Sequence, residues 1–257
     1  MLREEALKID KAFSYQFEDI HWPRKLGLGA LISLVPILNL AIVGYMVGII
    51  RNVAHDVAEP LPEWDNLGSK FREGLIMTAA SLVYAAPVFV AICLPLGVLA
   101  ASGIVLQSSD WQALGRSLGG VGGVLFLCLL GLSLCYTLLL SIIRPVIMIL
   151  FSRDGTFRSC FRLREILSIL TRFPQPFFTT WVVIVLAGVV IGLIVGFINL
   201  IAGWIPCLGW IVGLALAAGS TMYILTIDAY LFGQFGITAL AEAPSEIALH
   251  EPQRNKL

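Results

Sequence analysis

Charge is what this chain has least of. Of its 257 residues only 13% are Asp, Glu, Lys or Arg, against 58% hydrophobic, and the mean hydropathy is +0.89. A soluble domain carries about 25% charged residues, so this chain cannot cover a water-facing surface and belongs in a bilayer. Neither sign is in excess: 17 basic and 17 acidic side chains leave a net charge of +0. Without a basic surplus to neutralise phosphates, no nucleic-acid partner is expected. Residues 1–25 lack a central apolar run, so no cleavable signal peptide is expected there.

Chemistry-bearing patterns are equally sparse. His21, His55 and His250 are scattered and form no zinc-binding spacing. The cysteines Cys93, Cys128, Cys135, Cys160 and Cys207 include no C-x-x-C pair, and most read as small, reduced, buried hydrophobes. Cys128 and Cys135 share a helix face, seven residues apart, which precludes an unstrained bridge. Neither a G-x-x-x-x-G-K-[ST] string nor a G-x-S-x-G elbow occurs. The run Gly119-Gly120-Val121-Gly122-Gly123 lies in an apolar span and is no phosphate cradle, and a relay of intramembrane carboxylates is missing. The expectation is a non-enzymatic protein with no catalytic residue, cofactor or metal.

What the chain does have is long uncharged stretches: Leu26–Ile50, Gly74–Ser109, Ser117–Ile143 and Phe173–Ile227. A spanning helix needs about 20 residues, so the last stretch holds two, turning at Gly203-Trp204-Ile205-Pro206-Cys207-Leu208-Gly209. The helices are expected at 26–50, 75–101, 118–143, 178–202 and 209–235. If all five span, the basic residues divide six against eleven between the two faces, a poor fit to the rule that gathers Lys and Arg inside. If residues 26–50 enter and return, sixteen of the 17 share one face and only Arg116 is left over. Pro36-Ile37-Leu38-Asn39 supplies a place to turn, since proline breaks the helix ladder and asparagine tolerates turn geometry. The alternative is a single span kinked at Pro36.

The fold expected is therefore all-α and polytopic: a re-entrant (or kinked) first segment with its turn at Pro36 and Asn39, four transmembrane helices, and amphipathic interfacial helices. It forms one transmembrane domain over 1–240, with an interfacial segment at 1–25, cytoplasmic loops at 51–73 and 144–176, and a polar, disordered tail at 241–257. Both termini are expected in the cytoplasm and the protein in the cell membrane. In the N-terminal segment Leu2, Ala6, Ile9 and Phe13 recur at helical spacing, and Phe13, Tyr15, Phe17 and Trp22 suit the headgroup region. In the second loop Leu163, Ile166, Leu167, Leu170 and Phe173 form one apolar stripe beside several arginines, a candidate contact for anionic lipid or simply a connecting helix.

The most distinctive polar string is Glu59-Pro60-Leu61-Pro62-Glu63-Trp64-Asp65-Asn66. Glu63, Trp64 and Asp65 form a candidate interaction loop: the acids could hold a cation or a basic group, or Trp64 could anchor at the interface while Asp65 or Asn66 caps a short helix over 67–71. Together with Ala12-Phe13-Ser14-Tyr15-Gln16-Phe17-Glu18-Asp19 and Trp22, the string Leu61-Pro62-Glu63-Trp64-Asp65 resembles the bacterial and archaeal family called domain of unknown function 4013. Phe157-Arg158-Ser159-Cys160-Phe161-Arg162 and Tyr230-Leu231-Phe232-Gly233-Gln234 extend the likeness over residues 10–240. It implies a multi-pass membrane protein and no assigned activity.

Within the spans, small residues recur every four positions. Gly188, Gly192 and Gly196 form one row and Gly209 and Gly213 another, with Gly44 and Gly48 in the first segment. Such rows let helices approach closely, within the chain or in a homo-oligomer. Arg144 and Asp228 close two uncharged stretches and form a candidate ion pair. Function is expected to be that of a membrane scaffold or accessory subunit; the alternative is a small permease or channel component with a cavity at the broken first segment. A cavity shared by the Pro36–Asn39 turn and Asn199 would favour transport.

Overall fold

The computed structural model describes residues 8–106, 112–205 and 208–241. Leu2, Ala6, Pro206, Cys207 and the tail from residue 242 lie outside the described residues. Among the described residues all regular structure is helical: α1 (Ile9–Glu18), α2 (Trp22–Ser33), α3 (Leu40–Ala54), α4 (Leu67–Leu106), α5 (Gln112–Asp154), a 3-10 turn at Phe157–Phe161, α6 (Leu163–Arg172), α7 (Pro174–Ala202) and α8 (Leu208–Ala241). Four helices, at 67–98, 119–154, 174–202 and 209–239, are long and apolar enough to cross a membrane. They carry large exposed apolar side chains such as Leu193, Phe197 and Leu200, as helices that face lipid or other membrane helices do.

Local chemistry sets the helix ends. Pro23 opens α2, where a missing N–H costs nothing. Gly155, at φ +64°, stops α5 by donating its N–H to the Phe151 carbonyl at 2.8 Å. Two helices run further than expected. The short helix proposed over 67–71 is the first turn of α4, which continues unbroken through Pro87 and Pro95, and α5 likewise continues through Pro145.

The chain forms two compact units, Met1–Thr78 with Pro145–Leu257, and Ala79–Arg144. In the second, the Tyr136 hydroxyl donates to the Tyr84 carbonyl at 3.0 Å and ties the α5 portion to the α4 portion. In the first, α8 is the centre, packed by α1, α2, α3 and α7. The Tyr15 ring stacks on Tyr230 at 4.2 Å and its hydroxyl donates to the Thr226 carbonyl, laying α1 along α8.

The inward face of α1 is Ala12, Tyr15 and Gln16, with Asp19 just beyond, so the expected stripe through Ile9 and Phe13 is displaced. Tyr15 is buried, and of the expected interfacial aromatics it is Phe17 that stays exposed, edge-on to Trp22. In α6 the stripe is split: Ile166 turns inward with Ile169, while Leu163 and Leu167 stay outside.

The glycines divide as well. A Cβ on Gly44 would collide with the Lys70 backbone and one on Gly74 with the Leu40 backbone, so α3 and α4 cross at backbone contact. Gly209 likewise lies against the Ala202 backbone, while Gly213 faces the Asn199 side chain. Gly188, Gly192 and Gly196 have open space where a Cβ would project, so of the two uses expected for this row, close packing within the chain is not seen at these positions.

Candidate functional site

The proline string meets α2 and α3 in the first unit. Residues 60–64 run antiparallel along one face of α3: Trp64 stacks on Tyr45 at 4.4 Å, Pro62 lies against Gly48, and the Asn52 side-chain amide donates to the Pro60 carbonyl at 3.0 Å. The geometry follows from the residue types. Two prolines hold the string extended at about 3.1 Å per residue, so four steps cover about 12 Å. Seven helical steps, from residue 45 to residue 52, rise about 10.5 Å. The two lengths match, and Gly48 leaves room for the proline ring.

Lys25 closes the other side. Its ammonium donates to Asp19 Oδ2 at 2.7 Å, to Glu63 Oε1 at 2.9 Å and to the Leu61 carbonyl at 3.0 Å. All three protons are thereby used. Lys25 and Asp19 side chains are only 4% and 2% exposed, whereas Glu63 is 54% exposed. Asp19 Oδ1 also accepts the His21 N–H at 2.8 Å, so one carboxylate shapes the entry to α2 and neutralises the lysine. Burial alone would raise the Asp19 pKa, but the hydrogen bond from Lys25 and the His21 amide outweigh it and the net direction is down. Burial would likewise lower Lys25, and the hydrogen bonds it donates to Asp19 and Glu63 carry it above its ordinary value. The Trp64 indole N–H donates to the Lys25 carbonyl at 2.8 Å.

This cluster settles the shape of the first apolar segment. Residues 25 and 45 touch the same indole, although a continuous helix would hold them about 30 Å apart. The chain reverses at 34–39, where Pro36 and Asn39 sit in turn backbone between α2 and α3. A single kinked span is thereby excluded. Ile37 at the turn is 70% exposed, with Leu34, Val35 and Leu38 beside it, an apolar tip.

Of the proposed interaction loop, Trp64 is buried rather than at an interface, Glu63 is engaged by Lys25, and Asp65 is exposed. A second polar junction joins the end of α3 to its neighbours: Arg51 donates to the Ser152 carbonyl and to Glu73, both at 3.1 Å. The proposed pair Arg144 and Asp228 falls in different units, Arg144 exposed in the second and Asp228 half-buried in the first. A cavity of about 230 Å³ lies beside the Pro36–Asn39 turn, lined by Ser33, Asn39, Thr221 and apolar side chains of α8. Asn199 does not line it, being bonded to the Val195 carbonyl and packed on Gly213. Sequence reasoning missed Lys25 and Asp19; the signal was a lysine and an aspartate flanking Trp22 at the mouth of an apolar stretch. It also missed Gln16, whose side-chain amide is fully buried with no hydrogen-bond partner among the described residues.

Residues 28–200, about two-thirds of the chain, match the family described as "Protein of unknown function (DUF4013)". The chain belongs to the DUF4013 family. The matched range contains Leu61–Asp65 and the α2–α3 turn, and begins after Ala12–Asp19 and Trp22, two of the strings on which the resemblance was drawn. No curated protein and no solved structure matches the chain.

Proposed function

We propose that this DUF4013 protein is a multi-pass protein of the cell membrane that serves as a non-enzymatic scaffold or accessory subunit, with both termini and the 51–73 and 144–176 segments in the cytoplasm. The α2–α3 hairpin dips its apolar tip into the bilayer from that face and returns. One observation carries the scaffold role: the Lys25 ammonium spends every proton on Asp19, Glu63 and Leu61, so the polar residues of the family string fasten the chain to itself. The result is a stiff platform at the inner face, on which Asp65 and the outer edge of Glu63 are presented.

A second reading, transport, rests on a separate observation, although Asn199 lies outside the cavity concerned. The cavity beside the turn combines Ser33, Asn39 and Thr221 with apolar walls, as a solute site at a broken membrane segment would. Gentle extraction from native membranes and co-purification distinguishes the two. A scaffold brings down another membrane protein in fixed ratio, and the recovery falls with Asp65→Lys. Solute flux through liposomes holding the chain alone would favour transport instead.

A further inference from the structure

We propose that the outer face of the 3-10 turn and α6 is a docking surface for the anionic headgroups of the surrounding bilayer. Four charges here cancel one another. Arg153 pairs with Asp154 and Glu165, each at 2.8 Å, and Arg162 pairs with the same acids at 2.6 and 3.4 Å. That closed set leaves Arg158 and Arg164, both exposed, and no carboxylate pairs with either among the described residues. Between and beside them stand Phe157, Leu163 and Leu167, at 44%, 52% and 55% exposure. On α6, Leu163 and Leu167 are one turn apart and Arg164 flanks them, while Ile166 and Ile169 bind the opposite side to the protein.

Position selects lipid as the occupant. Only Phe173 separates α6 from the start of α7, a candidate span, so the chain itself holds α6 at the membrane surface. Phe178 and Trp181, stacked at 6.3 Å in the first turns of α7, mark that level with the aromatic rings typical of headgroup regions. An apolar edge with unneutralised arginines at this depth matches an anionic interface, where side chains enter the acyl boundary and guanidinium groups meet phosphates.

The inference rests on α7 spanning the bilayer, not on the scaffold role or on which face is inside. Hydrogen exchange of the full chain tests it in discs of phosphatidylcholine with and without phosphatidylglycerol, since discs leave both faces open. The amides of 157–172 exchange more slowly with phosphatidylglycerol, by about fivefold for each arginine. The double change Arg158→Gln with Arg164→Gln abolishes that difference while α8 keeps its protection. Equal exchange of the unaltered chain in both discs overturns the proposal. So does equal protection produced by free phosphate in the neutral discs. Neither result touches the scaffold role, which the co-purification decides.

Discussion

The indole of Trp64 donates its proton to the backbone carbonyl of Lys25 at 2.8 Å, across 39 residues of sequence. That bond joins the mouth of the first apolar segment to the loop that follows it, and the lysine's own side chain doubles the connection. The first consequence concerns stability. Lys25→Met leaves the Asp19 carboxylate buried without its cation, a change that costs about 3–5 kcal/mol when one partner of a buried pair is removed. Adding Asp19→Asn to it restores much of the loss. Glu63→Gln, at the half-exposed end, costs about 1 kcal/mol or less. Unfolding midpoints in mild detergent check this order.

The same pair sets a pH window. The Asp19 pKa is lowered, so its contribution is complete above the unfolded value of about 3.9 and is lost as pH falls through the folded value. The Lys25 pKa is raised, so its contribution is complete below about 10.4 and is lost as pH rises through the folded value. The difference in stability between the parent and the Lys25→Met, Asp19→Asn variant is therefore flat from about pH 5 to pH 9 and narrows outside it. A steep change of that difference near neutrality would contradict the assignment.

Close approach predicts opposite outcomes for two glycines. Gly44→Ala forces α3 off the Lys70 backbone and costs about 1–3 kcal/mol. Gly192→Ala projects into open space and gains up to about 1 kcal/mol of helix propensity. Thermal unfolding of both variants in detergent separates them; equal destabilisation would mean that the Gly188, Gly192 and Gly196 row packs within the chain.

Much of the architecture was legible because hydrocarbon imposes one-dimensional rules. Uncharged stretches marked the four long helices, and Pro36 with Asn39 marked the reversal between α2 and α3. The site was less legible because its partners are distant in sequence. Two acids around Trp64 suggested a binding loop or an interface anchor, and it takes Tyr45, on another element, to explain why that indole is buried. Lys25 looked like one more inside-facing cation until Asp19 and Glu63 converged on it. Glycine spacing alone could not separate Gly44, held against a backbone, from Gly192, which faces open space.

The return of the first apolar segment is tested most directly by sided labelling in cells. Ser14→Cys precedes the hairpin, Asp65→Cys follows it, and Ser109→Cys, between α4 and α5 in the sequence, is expected on the opposite face. With a membrane-impermeant maleimide, and the parent protein as background, the first two react only after the cells are opened, while Ser109→Cys reacts in intact cells. Reaction of Ser14→Cys and Asp65→Cys from opposite sides of the membrane would contradict the hairpin.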